Sequence, residues 1–293
     1  MKRVAIYGRL FDDKLSPYVQ RVFDKLEAVG ASLHIYEPFH QFLNDRINIQ
    51  SDISLFDRKS GLKGEVDFLM SIGGDGTFLD STTFIRDSQI PIVGVNTGRL
   101  GFLSGIALDE IDEAVDAIVA GAYTLDSRRL LKLETENKMF GDENFALNEL
   151  TVHKKDTSSM ITIHAYLDGN FLNSYWADGL IVATPTGSTA YSLSCGGPIV
   201  MPGSENFVIT PVAPHNLNVR PIVIPDGGVL TLKVEGRGDY FMASLDSRSE
   251  SMEGSTELVI SRNNFEINLL RLASHNYLRT IRNKLNWGLD KRN

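Results

Sequence analysis

Cysteine is almost absent: Cys195 is the one cysteine in 293 residues. That excludes a disulfide framework and points to a reducing compartment. Long apolar runs are missing too. Val66 to Ile72 and Gly179 to Ala183 fall well short of the roughly 20 residues that cross a bilayer. Lys2 and Arg3 precede only Val4 to Tyr7 before Gly8, which is no signal-peptide core. The expectation is a soluble, cytoplasmic protein with no membrane partner. Nor is there a basic excess: 29 Lys and Arg stand against 37 Asp and Glu, a net charge of -8. A nucleic-acid binder usually carries a basic face, so no nucleic-acid partner is expected, while local binding of a nucleotide stays open. Internal repeats, low-complexity tracts and zinc-type His or Cys spacings are also lacking.

What is present suffices for two buried cores, with 42% hydrophobic and 23% charged residues over a length typical of two domains. The first half alternates strand and helix signals. Val4 to Tyr7 reads as a strand, and Ser16-Pro17 as an N-cap and first helical residue. Val19, Val22, Phe23, Leu26 and Val29 then recur at helical spacing before Gly30, a C-cap signal. Leu33 to Tyr36 returns as a strand, and residues 44 to 64 read as a polar, mobile connection. Val66 to Ile72 is a buried strand, followed by a glycine-rich turn, a helix through about Asp87, the strand Ile90 to Val95, and a helix over Asp109 to Gly121. This is the rhythm of a parallel α/β sheet. From about Tyr123 the pattern changes to short alternating runs such as Leu131 to Glu134, Ile161 to His164 and Leu230 to Lys233, as in an antiparallel β domain. His275 to Trp287 reads as a helix with Tyr277, Leu278, Ile281 and Leu285 on one face. The expected fold is therefore α/β plus β. A Rossmann-like α/β domain spans 1–125, a mostly antiparallel β-sandwich spans 126–272, and a C-terminal helix at 273–293 packs back on the first domain or, as the alternative, serves an interface.

The turn Gly73-Gly74-Asp75-Gly76-Thr77 lies between a strand and a helix, where backbone N–H groups converge on an anion. It fits neither the dinucleotide fingerprint nor the Walker pattern. A plain strand-to-helix connection with Asp75 as the helix cap is the structural alternative. A carboxylate in such a loop would repel phosphate unless a metal ion or a substrate hydroxyl lay between them, which favours chemistry at Asp75. The motif resembles that of NAD kinases, of lipid kinases of the diacylglycerol and sphingosine type and, in part, of phosphofructokinases. Lipid kinases follow it almost at once with Asn-Glu. Here Phe78-Leu79-Asp80 follows, and Asn148-Glu149 comes much later.

A second, longer string decides among them. Asp178-Gly179, then Thr184-Pro185-Thr186-Gly187-Ser188-Thr189-Ala190-Tyr191, then Gly196-Gly197-Pro198 is similar to the extended motif of the NAD kinases. Asn96-Thr97-Gly98-Arg99-Leu100-Gly101-Phe102, Asn148-Glu149, and Ala213-Pro214-His215 with Arg220-Pro221 resemble further family segments in the family's order. The resemblance implies transfer of the terminal phosphoryl group of ATP, or of polyphosphate, to the 2'-hydroxyl of the adenosine ribose of NAD, with Mg²⁺ or another divalent cation. It makes Asp75 the catalytic residue and gives Asn148 and Glu149 the ribose hydroxyls. It sets Gly73, Gly74, Gly76, Arg99 and Phe102 against the substrates. Asp178, Thr186, Thr189, Ala190 and Tyr191 lie along the dinucleotide, with Ser192, Leu193, Ser194 and Ala213 beside them. No protein metal ligand is assignable, and a homodimer or homotetramer is implied. Two departures stand out. Trp176 replaces a frequent basic residue, and Asp246-Ser247-Arg248 replaces an Asp-Gly-Gln or Asp-Ser-Gln string, leaving Arg248 to substitute for an amide or to meet phosphate. The rival readings are a lipid kinase and a non-catalytic NAD(P) sensor.

Overall fold

The computed structural model describes residues 2–58, 62, 66–98, 101–155, 160–273 and 276–286. The chain forms two compact units, Met1–Ser127 with Ile267–Asn293, and Arg128–Glu266. The sequence divided at 125 and 272; the later crossover falls earlier because one long strand, residues 258–272, contributes its first part to one unit and its last part to the other.

The first unit is a parallel sheet with helices. Its elements are β1 (Arg3–Gly8), α1 (Ser16–Ala28), β2 (Ser32–Tyr36), α2 (Glu37–Leu43), β3 (Ile53–Phe56), β4 (Phe68–Ile72), α3 (Asp75–Ile85), β5 (Ile92–Asn96), β6 (Ile106–Ala107) and α4 (Ile111–Val119). The strand order β3-β2-β1-β4-β5 is parallel throughout. Sequence order reverses between β1 and β4, and in such sheets ligands bind outside the carboxyl ends of the strands at that switch point. β4 and β5 are buried at every position, as a sheet covered on both faces requires. Val19, Val22, Phe23 and Leu26 of α1 and Ala114, Val115 and Ile118 of α4 join one apolar core with β1, β2 and β4.

Two expectations for this unit need correction. Residues 44 to 64 are not simply a connection, because β3 pairs with β2 there; only Phe56 of its four residues is buried, so an edge strand left too short an apolar signal. Ser16 is not the helix cap. A 3-10 turn, Asp13–Leu15, runs straight into α1, and Leu15 occupies the cap position.

β7 (Tyr123–Glu134) leads into the second unit. It is followed by β8 (Phe145–Ala146), β9 (Glu149–Lys154), β10 (Ile161–Leu167), β11 (Asn170–Ala177), β12 (Gly179–Ala183), the one-turn α5 (Tyr191–Ser194), β13 (Asn206–Val212), β14 (Ile222–Pro225), β15 (Leu230–Glu235), β16 (Tyr240–Leu245), β17 (Arg248–Glu253) and β18 (Leu258–Leu272). One antiparallel sheet has the order β14-β13-β12-β9-β16-β17, and β11-β10-β15 with the start of β18 form another. Leu150, Val152, Leu180, Val182 and Phe207 from the first meet Ile161, Ile163, Leu232 and Ile260 from the second in one core. That is the antiparallel sandwich expected. α6 (Tyr277–Leu285) belongs to the first unit. Its Asn276 cap accepts from Leu278 and Arg279, and Ile281 is its one buried residue, so the four-residue face expected from spacing narrows to one anchor. His275 and Trp287 lie outside the described residues. Among the described residues no helix is long and apolar enough to cross a membrane.

Candidate functional site

In the first unit, the glycine turn leaves the carboxyl end of β4 at the switch point and opens α3. Gly74 is the N-cap and supplies no side chain. Asp75 is not the cap either. Its Oδ2 accepts from Phe102 N at 2.8 Å, and its Oδ1 from Leu103 N at 3.2 Å and Ser104 N at 3.1 Å. A carboxylate has about four lone-pair sites, so three amides fix its plane and leave roughly one acceptor direction free. Glycines make this approach possible. A Cβ on Gly101 would overlap the Asp75 carboxylate, and one on Gly94 of β5 would press on the Ser104 backbone. Gly73 is constrained by Thr77, while Gly74 and Gly76 are exposed with open space at the Cβ direction. The loop therefore offers bare backbone to a phosphate at a helix start.

α3 itself is unusual. Ser81, Thr82 and Thr83 are buried, and their hydroxyls donate to the carbonyls three residues back, which satisfies them without leaving the helix. Buried Asp80 is paired with Arg9 and accepts from the Tyr7 hydroxyl at 3.2 Å. Burial first, then Asp80, pushes that hydroxyl up to about 12. Phe102 is half-buried, with its ring 6.4 Å from Tyr277 and 4.9 Å from Lys284 Nζ of α6. Arg99 lies outside the described residues.

The second unit gathers the other candidates around the entry to β9. The Asn148 Oδ1 and Glu149 Oε2 atoms are buried and have no hydrogen-bond partner among the described residues. Burial, followed by the neighbouring Asp246 carboxylate, pushes Glu149 up to about 8. Two adjacent unmet polar groups are costly unless a ligand meets them. The loop after β12 hangs on the same backbone. Thr184 N donates to Asn148 O at 2.8 Å, Thr184 Oγ1 to Leu147 O at 2.5 Å, and a Cβ on Gly187 would run into the Asn148 backbone.

Most hydroxyls of this loop serve the loop. Ser188 bonds Pro185 O and Val200 N; the Ser192 hydroxyl, fully buried, pairs with Thr210 at 2.8 Å; Thr186 Oγ1 accepts from Arg128 at 3.2 Å; and Thr189 donates to Thr186 O. The Ser192 hydroxyl is thus turned inward, away from the ligand role read from its motif, and the same fully buried pair explains why its neighbour Gly197 can carry no Cβ. Tyr191 and Ser194 are exposed, and Ala190 and Leu193 are half-buried. The Tyr191 ring stacks near His153 at 5.8 Å and 23°. Asp178 is paired with Lys154 at 2.5 Å. Burial pushes the His153 ring down and the Tyr191 hydroxyl up. Ala213 is exposed and holds a left-handed backbone at φ 45°.

The two departures acquire roles. Trp176 is 43% exposed, and its ring lies 4.3 Å from that of His215, whose N–H donates to Trp176 O; the position presents an aromatic surface, not a charge. Arg248 donates to the carbonyls of Glu143 and Phe145, so its guanidinium is committed to backbone. Cys195 packs against Ile181, Ala183 and Val208, and burial raises its thiol.

Sequence reasoning passed over Gly94, Gly101 as the partner of Asp75, Arg128 and Asp246. Gly101 and Asp246 both sat inside strings with a family resemblance, and the signal of Gly101 was a second glycine three residues after Gly98; Gly94 and Arg128 gave none without a partner in view.

Comparison with known proteins bears on both units. Residues 40–123 match the ATP-NAD kinase N-terminal domain and residues 147–272 the ATP-NAD kinase C-terminal domain. The NAD kinase of Cytophaga hutchinsonii is 50% identical over 290 residues, covering 99% of each chain. That of Flavobacterium psychrophilum is 46% identical over 293 residues, 99% of this chain and 100% of the relative. Among solved structures, a yeast NADH kinase complexed with NADH has a TM-score of 0.87 at 21% identity, covering 99% of this chain and 89% of that one. An NAD kinase from Archaeoglobus fulgidus in complex with ATP has a TM-score of 0.74 at 23% identity, covering 97% and 98%. These two likenesses concern the fold.

Proposed function

The chain belongs to the NAD kinase family, and from that premise we propose that it moves the terminal phosphoryl group of ATP to the 2'-hydroxyl of the adenosine ribose of NAD, with Asp75 receiving the proton. The observation that carries the residue assignment is the Asp75 carboxylate, fixed by three amides and left with about one free acceptor direction. The new bond joins the ribose oxygen to the γ-phosphorus, the bond from that phosphorus to the bridging oxygen breaks, and ADP leaves. A sugar hydroxyl is about eight units less acidic than a carboxyl, so ionising it beforehand would cost roughly 11 kcal/mol. The proton therefore passes to Asp75 late, as the P–O bond forms, and position matters more than basicity.

Asn148 and Glu149 hold the ribose. A vicinal diol brings two donors and two acceptors. Asn148 Oδ1 accepts, and Glu149, with its carboxyl raised to about 8, is protonated at neutral pH and both donates and accepts. The bare backbone at Gly74 and Gly76 suits phosphate, with Gly73, whose N–H donates to Val95 O at 2.9 Å, shaping the turn; the exposed Tyr191 ring suits a flat face of the dinucleotide. Asp178 and Ala213 remain assigned beside it. Mg²⁺, or another divalent cation, neutralises phosphate charge in such transfers. Such a cation would arrive bound to the phosphates of ATP, and Asp75 is the carboxylate of the glycine turn. The single thiol of Cys195 supports a cytoplasmic setting.

The lipid-kinase reading is set aside by the ATP-NAD kinase models over both halves. The test is NADP formation by purified protein supplied with NAD, ATP and Mg²⁺, with Asp75→Asn alongside. Wild type is expected to form NADP, and the variant to lose a factor of about 10² or more in kcat while still binding NAD. Near-normal turnover in the variant removes Asp75 from the role. Tight NAD binding without any product from wild type points to polyphosphate as donor or to a sensor, which a second assay with polyphosphate separates.

A further inference from the structure

Asp246 lies in the two-residue turn that joins β16 to β17, between the paired residues Leu245 and Arg248. Its backbone is left-handed, with φ 53°. Gly, Asn and Asp all tolerate such a position, so the turn by itself does not select the carboxylate. Its contacts do. Oδ2 accepts from Leu147 N at 2.9 Å, and Oδ1 from Asn148 N at 2.8 Å and Glu149 N at 3.2 Å. Asp246 N in turn donates to Glu149 O at 3.0 Å. The register of β16 on β9, with Leu245 opposite Leu150, delivers the turn to this place.

We propose that Asp246 is a positioning residue of the ribose subsite: its carboxylate gathers the amides of Leu147, Asn148 and Glu149 and thereby sets the backbone from which Asn148 and Glu149 reach the diol. The inference rests on the ribose reading given above. Geometry alone makes Asp246 the mate of Asp75, since each carboxylate collects three successive amides, but Asp246 itself touches no substrate. Its charge has a second effect. The carboxyl of Glu149 is raised by burial first and by Asp246 next, which favours the protonated donor form. Burial raises the Asp246 carboxyl itself, against which the Leu147, Asn148 and Glu149 amides and Arg248 of β17 favour its charged form; Arg248 is in turn held by the Glu143 and Phe145 carbonyls and lies 3.8 Å from the Glu143 carboxylate. β12, the other neighbour of β9, places Ala183 opposite Glu149 and adds no charge there.

The experiment measures NAD binding by calorimetry from pH 5.5 to 9.5, with steady-state KM for NAD and ATP, in wild type, Asp246→Asn, Asp246→Glu, Glu149→Gln and Glu149→Ala. Wild type is expected to show a binding midpoint near 8, absent in Glu149→Gln. Asp246→Asn suits the turn, so the protein folds, yet it loses one amide partner and the charge. It should weaken NAD about tenfold, leave KM for ATP within about twofold, and move the midpoint downward. Asp246→Glu keeps the charge and displaces the oxygens; it should weaken NAD with the midpoint still near 8. A merely structural turn residue would lower the unfolding temperature without moving the midpoint, and that result overturns the proposal, as does wild-type affinity in both Asp246 variants. Should Asp246→Asn fail to fold, the affinity of Asp246→Glu decides. Unchanged NAD affinity in Glu149→Ala is a different failure, that of the ribose reading; weakened binding there with normal binding in both Asp246 variants defeats only the positioning role.

Discussion

Glu149 shows at the residue scale how a site stores free energy against its own fold. Its carboxyl is raised from 4.5 to about 8, so the folded state binds more protons than the unfolded state between those values. Stability then falls as pH rises from about 4.5 to about 8 and is level above that. Glu149→Gln is expected to stabilise the ligand-free protein, by nothing below pH 4.5 and by on the order of 2 kcal/mol at pH 8 once partial solvation discounts about 1.4 kcal/mol per unit. Urea unfolding at a series of pH values checks this, and a gain independent of pH would contradict the assignment. The companion residue behaves differently. Asn148→Ala removes an acceptor that has no partner among the described residues and should weaken NAD roughly tenfold with kcat little changed; equal affinity in the variant would remove Asn148 from the ribose role. Both residues were legible as candidates because they sit in a recognisable pair. That Glu149 is protonated at neutral pH was not legible, since its cause is burial beside Asp246, 97 positions away.

Elements explain why the motifs take the form they do. The β4-turn-α3-β5 sequence could be read directly: buried parallel strands are continuous apolar runs, and glycines mark the turn. The role of the glycines could be read only in part. Gly74 and Gly76 leave open space, whereas Gly101, in a separate segment, is the one whose missing Cβ admits the Asp75 carboxylate. Gly101→Ala is therefore expected to displace Asp75 and reduce kcat by about 10² or more, while Gly76→Ala, on the same space argument, meets no atom within 4 Å. Parallel kcat measurements on the two variants test this; a tolerated alanine at 101 would show that Asp75 does not need its amide cradle. The loop after β12 carries a similar lesson. A string of hydroxyls suggested ligand donors, but Ser188, Ser192 and Thr184 are committed to the loop and to its neighbours. Hydroxyls in a buried loop must satisfy one another before they can serve a substrate. β3 was missed for the opposite reason, since an edge strand with one buried residue leaves no pattern to find.

For the whole molecule, the two sheets of the second unit end in strands with exposed apolar positions: Ile222 and Val223 on β14, and Phe171 and Trp176 on β11. Open edges with apolar side chains invite pairing with another copy. We expect a homodimer or homotetramer, and light scattering coupled to size exclusion should give two or four times 32.5 kDa; a monomer at micromolar concentration would refute it. The sequence by itself determined the fold class, the family and the candidate residues, because periodicity and short motifs are local and survive without coordinates. Only the tertiary structure decided which groups hold the site together: the amides of 102–104 on Asp75, the amides of 147–149 on Asp246, the inward turn of Ser192 and the commitment of Arg248 to backbone. Each of these joins residues 18 to 105 positions apart, and hydrogen bonds and burial over such separations exist only once the chain has closed on itself.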